Sequence, residues 1–249
     1  MLRVLAGRNA LVTGSSRGIG AGIARMLAQR GARVIVNHSA SAEEAHSLIE
    51  QICSSGGEAI ERCFDVSNRE SVSNNIADII KQFGPIDILV NNAGILRDRT
   101  FRKMTAQEWS DVLNVNLNGI AHTCAAVVPA MFDKEFGRII NISSFVAQTG
   151  NFGQTNYAAA KAGMIGFSRS LALEVATKNI TVNCICPGFI DTGMWRSIPE
   201  DVREGIVQRI PMHRVGTVDE IAQAVRFLVE DADYITGQTL NVNGGIFIG

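Results

Sequence analysis

Short runs of β-branched and other hydrophobic residues alternate along the chain with longer amphipathic stretches. The short runs cover residues 10–12, 33–36, 86–90, 137–142, 181–186 and 240–242, and the helix-like stretches cover residues 19–30, 42–54, 105–132 and 157–177. This alternation is typical of βαβ units that share a parallel sheet. The run 86–90 is apolar at nearly every position, as expected for a strand covered by helices on both faces. We therefore predict an α/β fold of the Rossmann type, in which residues 1–249 form a single domain: a doubly wound, mostly parallel sheet of about seven strands with helices on both faces.

The residues that directly follow four of the predicted strands are small or polar. They are Thr13-Gly14, Asn91-Asn92-Ala93-Gly94, Ser143-Ser144 and Pro187-Gly188. In an open parallel sheet the ligand crevice lies outside the carboxyl ends of the strands. Each cluster alone is typical of a turn, but four clusters at one edge of the sheet predict a binding cleft.

The composition excludes several classes of protein. Hydrophobic residues make up 46% and charged residues 19% of the 249 residues, which is typical of a soluble globular chain and not of a disordered one. The formal net charge of −1 supplies no overall positive field, so nucleic acid is not an expected partner. The apolar part of the amino terminus is too short for a signal sequence, and no run of about 18 apolar residues occurs, so we expect no membrane segment.

The cysteines and histidines do not form recognisable metal or disulfide patterns. The five cysteines include no C-x-x-C pair, which predicts reduced thiols and a cytoplasmic location. The four histidines show neither H-E-x-x-H nor a Cys/His ligand spacing. We therefore expect no metal site.

A glycine-rich turn, Thr13-Gly14-Ser15-Ser16-Arg17-Gly18-Ile19-Gly20, joins the first predicted strand to the first helix. Glycine allows a tight turn and lets the backbone approach a pyrophosphate, which the amino terminus of a helix attracts. Arg17 opposes the helix dipole at this place unless an anion lies nearby. The position of the turn in the first βα unit therefore predicts a dinucleotide site.

The second predicted strand ends in Val36-Asn37-His38-Ser39, without the Asp or Glu that holds the ribose 2′-hydroxyl of NAD in such folds. Arg17, Asn37 and Ser39 can then accept a 2′-phosphate, and NADP is the predicted cofactor. Asp65, after the third apolar run, is expected to accept a hydrogen bond from the adenine amino group. The alternative is that Asp65 caps the next helix through Ser67.

Tyr157 and Lys161 lie four residues apart in an alanine-rich helical stretch and therefore share one helix face. A nearby ammonium favours the phenolate, so Lys161 is expected to lower the pKa of Tyr157 toward useful acid chemistry. Such a pair alone is more often an exposed helix face. Ser144, at the end of a strand, can hydrogen-bond a carbonyl that Tyr157 protonates, and the three residues together predict a carbonyl-reducing site.

In these motifs the whole chain resembles the short-chain dehydrogenase/reductase family. The resemblance implies that Tyr157 is the general acid, that Lys161 also holds the nicotinamide ribose, and that Ser144 orients the carbonyl. It also implies that Asn116 holds a water in a proton relay to Lys161, although composition alone does not separate Asn116 from Asn114 and Asn118. The further cofactor contacts that it implies are Ser16, Ile19, Val66, Asn92, Ala93, Gly94, Pro187, Gly188, Ile190 and Thr192, besides Gly14, Gly18 and Gly20.

Within the family, residues 94–99, 152–157 and 241–245 look like those of 3-oxoacyl-[acyl-carrier-protein] reductases and acetoacetyl-CoA reductases. The resemblance implies reduction of a 3-oxoacyl thioester to the (R)-3-hydroxyacyl form with NADPH, by a homotetramer, as in fatty acid biosynthesis. The implied substrate contacts are Asp98, Ser144, Gln148, Phe152, Gln154 and Tyr157. An acyl-carrier protein is acidic and needs a basic surface, and the mixed charges of residues 133–138 leave an acyl-CoA substrate open.

Two other functions remain open at this point. A short-chain dehydrogenase of sugars, steroids or other alcohols would share the mechanism and differ in the loop 192–209, an amphipathic lid candidate that contains Met194, Trp195 and Ile198. A non-catalytic dinucleotide-binding regulator would need the glycine turn but not the three catalytic candidates together.

Overall fold

The chain folds around one parallel sheet with helices on both faces. The computed structural model describes residues 4–249, apart from the side chain of Met194. The strands are β1 (Asn9–Val12), β2 (Arg33–His38), β3 (Glu58–Cys63), β4 (Ile88–Asn91), β5 (Gly137–Ile142), β6 (Ile180–Pro187) and β7 (Thr239–Val242). The helices are α1 (Gly18–Gln29), α2 (Ala42–Ser54), α3 (Arg69–Phe83), α4 (Ala106–Leu113), α5 (Gly119–Lys134), α6 (Val146–Thr149), α7 (Thr155–Val175), α8 (Gly193–Arg196), α9 (Glu200–Arg209) and α10 (Val218–Glu230). Short 3₁₀ turns lie at Phe101–Lys103 and Ala176–Lys178, and a π-helical turn lies at Asn114–Asn118.

The seven strands of the sheet lie in the order β3-β2-β1-β4-β5-β6-β7, and every neighbouring pair is parallel. The order reverses between β1 and β4, which places a crevice between the carboxyl ends of these two strands. This arrangement confirms the predicted doubly wound sheet.

Each face of the sheet carries its own layer of helices. Helices α1, α2 and α10 pack on one face, and α3, α5 and α7 pack on the other. Successive residues of a strand point to opposite faces, so Ala10 and Val12 of β1 pack toward α1 while Leu11 packs toward α3. Every residue of β5 and β6 is buried. Burial on both faces fits the largely apolar sequence of these strands, in which Arg138, Asn141, Thr181 and Asn183 are the polar exceptions.

The predicted single helix over residues 105–132 is wrong in one respect, because its middle turn is not α-helical. The amide of Gly119 donates to the carbonyl of Asn114, five residues back instead of four. The extra residue in this turn brings Asn116 against Ile95, which follows β4. Hydrophobic periodicity does not reveal one inserted residue, and such π-turns concentrate at functional sites.

The continuous helix Ala106–Lys134 is long and apolar enough to cross a membrane by length and composition alone, with a mean hydropathy of 1.2 over its most apolar window. In the fold, Cys124, Val127 and Met131 of this helix are buried in the core between α3 and the sheet. Of that apolar window 39% is buried, so packing on the sheet accounts for part of the apolar composition of the helix.

Gly22 allows α1 to pack closely against α10, and its replacement tests this contact. A Cβ at Gly22 would lie 2.1 Å from Cγ1 of Val218, so Gly22→Ala should overpack the contact and lower the free energy of unfolding in urea by about 1–3 kcal/mol. Adding Val218→Ala should recover part of the loss. Gly166→Ala in α7 is the control, because its new methyl group meets nothing within 4 Å. Equal losses for Gly22→Ala and Gly166→Ala would contradict the packing argument.

Candidate active site

The turn after β1 has a backbone that suits glycine at three positions. Gly14 and Gly18 have φ angles of +59° and +58°, in the left-handed region. Gly20 lacks room for a side chain, since a Cβ there would lie 2.5 Å from Nδ2 of Asn92 and 2.7 Å from the carbonyl oxygen of Gly14. The turn is therefore a cradle of bare backbone, as a pyrophosphate requires.

The amino terminus of α1 lacks the groups that usually neutralise it. Arg17 at the N-cap makes no capping hydrogen bond with its side chain, and the first turn contains no acidic residue. Arg17 is exposed and Ser16 is half-buried, while Ile19 packs against the core under α1. The free N–H groups, the helix dipole and the guanidinium form one positive surface, which fits the phosphates of a dinucleotide.

Asn37 lies beneath the glycine turn and braces it. The side chain is buried, its Oδ1 accepts from the amide of Gly14 (3.1 Å), and its Nδ2 donates to the carbonyl of Phe64 (3.0 Å). Both ends of the Asn37 side-chain amide are therefore already hydrogen-bonded within the protein. The groups left to meet a 2′-phosphate are therefore Arg17 and Ser39, which is exposed.

A carboxylate that the sequence analysis missed lies beside the end of β2. One oxygen of Glu61, on β3, pairs with Nε2 of His38 (2.5 Å), and the other pairs with His46 of α2. The hydrogen bond with His38 is the main cause of the lowered pKa of Glu61. The sequence alone does not show that Glu61 lies near His38. Their proximity follows from the pairing of β2 with β3, which sets Glu61 opposite Val36.

Asp65 takes part in a local turn at the carboxyl end of β3. Its Oδ1 accepts from the amide of Ser67 (2.8 Å), but α3 is capped by Asn68 and not by Asp65. Asp65 is exposed, so it is also free to face an adenine ring. Val66 is buried against Gly119, where a Cβ would come within 2.8 Å of its Cγ2.

The segment after β4 is tied to the segment after β1. The side-chain amide of Asn92 donates to the carbonyls of Thr13 (3.0 Å) and Gly14 (2.9 Å). The hydroxyl of Thr13 accepts from the amides of Asn92 (3.0 Å) and Ala93 (3.1 Å). Asn92 and Thr13 therefore hold the glycine turn in place through hydrogen bonds within the protein.

Asn116 is buried in the π-turn and grips the segment after β4. Its Oδ1 accepts from the amide of Ile95 (2.8 Å), and its Nδ2 donates to the carbonyl of Ile95 (3.0 Å). Both polar atoms of the Asn116 side chain are thus engaged by Ile95. Asn114 and Asn118 instead hydrogen-bond to each other at the surface (2.8 Å), which separates them from Asn116.

Lys161 is buried and anchored to the end of β5. Its Nζ donates to the carbonyl of Ile142 (2.7 Å), and its own carbonyl accepts from the hydroxyl of Ser143 (2.9 Å). A Cβ at Gly94 would lie 3.8 Å from Nζ of Lys161 and 3.3 Å from Oδ1 of Asn116, so these residues converge at one point. Desolvation lowers the pKa of Lys161 to about 8.

Tyr157 and Ser144 meet on the open side of this cluster. Nζ of Lys161 lies 5.7 Å from the centre of the Tyr157 ring. The expected lowering of the Tyr157 pKa does not occur in the structure. Desolvation raises the pKa of Tyr157 to about 12, against an opposing hydrogen bond with Ser144. The phenol is thus held in its protonated form, ready to donate.

The predicted substrate contacts lie near this site, and most already have partners. Nε2 of Gln154 donates to Oδ2 of Asp98 (2.8 Å), and Nε2 of Gln148 donates to Oδ1 of Asn241 (2.7 Å). A substrate carbonyl would compete with these bonds for the two amides. Phe152, in contrast, is 88% exposed.

The residues after β6 bring the lid candidate to the glycine turn. Gly188, after Pro187, passes so close to β7 that a Cβ would lie 2.8 Å from Cα of Asn243. Ile190 pairs with Gly216 in an isolated bridge. A Cβ at Gly18 would lie 3.8 Å from Cγ2 of Thr192. The predicted cofactor contacts on the two sides of the crevice therefore approach each other.

The lid candidate itself consists of α8 and α9. Trp195 is buried against Phe189 (5.7 Å between ring centres), and Phe189 packs against Phe145 (5.3 Å). Ile198 is half-buried, and the side chain of Met194 lies outside the described residues. The aromatic row places the start of the lid next to Ser144.

No group of three or more His, Cys, Asp or Glu residues that could hold a metal ion occurs in the part of the chain that the structure describes. The site instead brings together the hydroxyl of Ser144, the phenol of Tyr157 and the ammonium of Lys161.

Comparison with known proteins finds relatives that match nearly the whole chain. A family model described as enoyl-(acyl carrier protein) reductase matches residues 14–246. The 3-oxoacyl-[acyl-carrier-protein] reductase FabG of Escherichia coli is 48% identical over 243 residues, which cover 97% of this chain and 98% of that protein. Proteins of the same name from Chlamydia trachomatis and Staphylococcus epidermidis are 46% and 43% identical, over 99% and 97% of this chain and 100% and 99% of their own lengths.

The buried environment of Lys161 predicts its titration. In protein labelled with ¹³C at lysine Cε, one resonance should titrate with a midpoint near pH 8, while ordinary lysines titrate near pH 10.4. The ammonium form should prevail below this midpoint and the neutral amine above it. Lys161→Met should remove that resonance, and Lys81→Met, at an exposed position of α3, should leave it in place. A Lys161 midpoint above about pH 10 would contradict the burial argument.

Proposed function

The chain belongs to the short-chain dehydrogenase/reductase family, and from this we propose that it reduces the ketone of a 3-oxoacyl thioester to the (R)-3-hydroxyacyl thioester with NADPH. The observation that carries the proposal is the meeting of Ser144, Tyr157 and Lys161 at the carboxyl end of β5, next to a glycine turn shaped for a dinucleotide. The full-length relatives named 3-oxoacyl-[acyl-carrier-protein] reductase support this choice of substrate class.

Tyr157 donates the proton in this reaction. The nicotinamide, when bound, supplies the hydride to the carbonyl carbon. Ser144 orients the carbonyl oxygen with its hydroxyl, and Tyr157 transfers its phenolic proton to that oxygen. A pKa of about 12 keeps the proton on Tyr157 at neutral pH, so the phenol is available as a general acid. An oxygen that gains alkoxide character is more basic than a phenolate, and the transfer is therefore favourable.

Lys161 returns the proton to Tyr157. Its ammonium is held by the carbonyl of Ile142 and lies at the point where Gly94 and Asn116 converge. With a pKa of about 8, the group is mainly protonated at neutral pH yet releases a proton readily. A water held by Asn116 would connect Lys161 to solvent, which is the final source of the proton.

NADP as the cofactor rests on the charges near the ends of β1 and β2. Arg17 is exposed and has no side-chain capping bond, and Ser39 is exposed beyond the end of β2. The nearby carboxylate of Glu61 is engaged by His38 and His46 and is not free to bind a ribose hydroxyl. These features favour a 2′-phosphate over a free 2′-hydroxyl.

We also propose that the chain acts in the cytoplasm as a homotetramer of single-domain subunits. Strand β7 is the half-exposed edge of the sheet, and the large apolar side chains Leu173, Tyr234 and Ile248 are exposed. Surfaces of this kind are typical of contacts between subunits. The five unbridged cysteines fit a reducing compartment.

The two alternative functions receive less support. A non-catalytic regulator would gain nothing from a buried ammonium beside a phenol, and burying that charge costs stability. A dehydrogenase of sugars, steroids or other alcohols would use the same catalytic residues, but it has no counterpart among the relatives named above.

Replacing Tyr157 tests the acid. Tyr157→Phe should lower kcat for NADPH-dependent reduction of acetoacetyl-CoA by at least about 100-fold, because Tyr157 is the group assigned to donate the proton. The Kd for NADPH and the melting temperature should change little, since the ring remains. Tyr234→Phe is the matched control at the other tyrosine, which is fully exposed, and it should behave as wild type. A Tyr157→Phe enzyme that kept more than a tenth of the wild-type kcat would show that the acid lies elsewhere.

Replacing Arg17 tests the cofactor. Arg17→Ala should lower kcat/KM for NADPH by about tenfold or more and lower kcat/KM for NADH much less, because only NADPH carries the 2′-phosphate. Arg25→Ala, further along α1 at another exposed arginine, should leave both values unchanged. Equal use of NADH and NADPH by the wild-type enzyme would contradict the assignment.

A further inference from the structure

A carboxylate bridges two imidazoles beside the end of β2. One oxygen of Glu61 pairs with Nε2 of His38 (2.5 Å), and the other pairs with Nε2 of His46. We call these three residues, His38, His46 and Glu61, the histidine bridge. We propose that the histidine bridge makes the preference for NADPH over NADH increase as the pH falls, because a proton bound by His46 cancels the negative charge of Glu61 next to the 2′-phosphate. The proposal rests on the proposed function and names a group that adjusts its cofactor preference.

The histidine bridge lies next to the proposed 2′-phosphate site. The amide of Ser15 in the glycine turn donates to the carbonyl of Asn37 (2.9 Å), which fastens the end of β2 to that turn. His38 follows Asn37 directly, and Ser39 comes next. Cys63, which pairs with His38 across the two strands, donates from its Sγ to the carbonyl of Ser39 (3.8 Å). The bridge therefore adjoins Ser39, the exposed hydroxyl proposed to meet the 2′-phosphate.

The two imidazoles of the bridge differ in how readily they can take up a proton. His38 is 4% exposed, and its Nδ1 is buried without a hydrogen-bond partner among the residues that the structure describes. A neutral imidazole donates to Glu61 from Nε2 and has only a lone pair on Nδ1, whereas a second proton there would be a buried donor without an acceptor. The side chain of His46 is 62% exposed, so water can accept from its second N–H. His46 is therefore the group that gains the proton.

The other charged groups around the bridge keep their charge when His46 gains a proton. They are Arg17 on α1, Glu43, Glu44 and Glu50 on α2, and Arg62 on β3. Glu43 and Glu50 lie three residues before and four residues after His46, so they share its helix face. Arg62 hydrogen-bonds to Gln82 of α3, on the other face of the sheet. Since imidazole is the side chain that ordinarily changes charge between pH 5 and pH 8, the bridge controls how the local charge varies in this range.

One proton on the bridge changes the charge that a 2′-phosphate meets. The pKa of Glu61 is lowered, chiefly by the hydrogen bond with His38, so the carboxylate stays charged. The bridge then carries one negative charge when His46 is neutral and none when His46 is protonated. NADP carries a 2′-phosphate with up to two negative charges, whereas NAD carries a neutral hydroxyl. Removing one repulsive charge should tighten the binding of NADP by about threefold to tenfold and leave that of NAD nearly unchanged.

The first test measures Kd by calorimetry for NADP⁺ and NAD⁺, which carry the same 2′ groups as the reduced cofactors. His46→Gln keeps an amide that can donate to Glu61 but cannot gain a proton. The Kd of this variant for NADP⁺, divided by that of the wild type, should be near one at pH 8.5 and rise to about three to ten at pH 6. The 2′-phosphate itself takes up a proton near pH 6, and dividing one protein's Kd by the other's removes this contribution.

Two comparisons serve as controls in the same experiment. The corresponding ratio for NAD⁺ should stay near one at both pH values, because NAD⁺ has no 2′-phosphate. His213→Gln removes another exposed histidine, which follows α9, and it should behave as wild type with both dinucleotides.

The second test measures the protonation of His46 itself. In protein labelled with ¹³C at histidine Cε1, the resonance that His46→Gln removes should titrate with pH. Because the coupling between two bound ligands is reciprocal, saturating NADP⁺ should move its midpoint upward by about 0.5 to 1 pH unit. Saturating NAD⁺ should leave this midpoint nearly unchanged.

Three results would overturn the proposal. The first is a ratio for NADP⁺ that does not change between pH 8.5 and pH 6, and the second is an equal change for NAD⁺, as a purely structural contact between α2 and the sheet would give. The third is a His46 midpoint that NADP⁺ does not move. If the enzyme reduced no 3-oxoacyl thioester, the proposed reaction would fail, but both tests use no thioester and would still decide the bridge. If NAD⁺ bound as tightly as NADP⁺ at pH 8.5, the cofactor assignment would fail, and the change in the ratio toward pH 6 would still decide the bridge.

Discussion

The bond from the ammonium of Lys161 to the carbonyl of Ile142 sets the geometry on which the site depends. A buried charge needs a partner, and this partner is the last carbonyl of β5. Ser143, the next residue, donates to the carbonyl of Lys161, and Ser144 contacts Tyr157. Three successive residues of the strand end thereby hold α7, so the reacting groups are placed by the most buried part of the sheet.

Helix α7 is also held in place by a chain of hydrogen-bonded, buried polar side chains that crosses the sheet. Thr123 of α5 donates to Asn91 (2.7 Å), Asn91 donates to Asn141 (2.8 Å), and Asn141 donates to Ser168 of α7 (2.7 Å). These bonds cross β4 and β5 and join the helix that follows the π-turn to the helix that carries Lys161. The spacing between the π-turn and α7 is therefore controlled by the sheet and not by surface loops.

The sequence predicted the parts of this architecture that follow from local rules. Gly14 and Gly18 have the backbone that their place in a strand-to-helix turn implies, and the apolar runs became buried strands. It did not predict features that depend on register or desolvation. The π-turn adds one residue that periodicity hides, and Glu61 reaches His38 only through the pairing of β2 with β3. The pKa of Tyr157 rises because desolvation has a larger effect than the hydrogen bond with Ser144. The spacing of residues along a helix does not show which of these two effects is larger.

The proposed reaction depends on a protonated Tyr157 that is held beside a dinucleotide site and donates to the ketone of a 3-oxoacyl thioester. The most direct measurement incubates the purified protein with NADPH and acetoacetyl-CoA or a carrier-bound 3-oxoacyl thioester, follows NADPH oxidation, and determines the configuration of the product by chiral chromatography. The account predicts one NADPH oxidised for each thioester reduced and an (R)-3-hydroxyacyl product. Inert thioesters together with rapid reduction of a sugar or steroid ketone, or an (S) product, would contradict it.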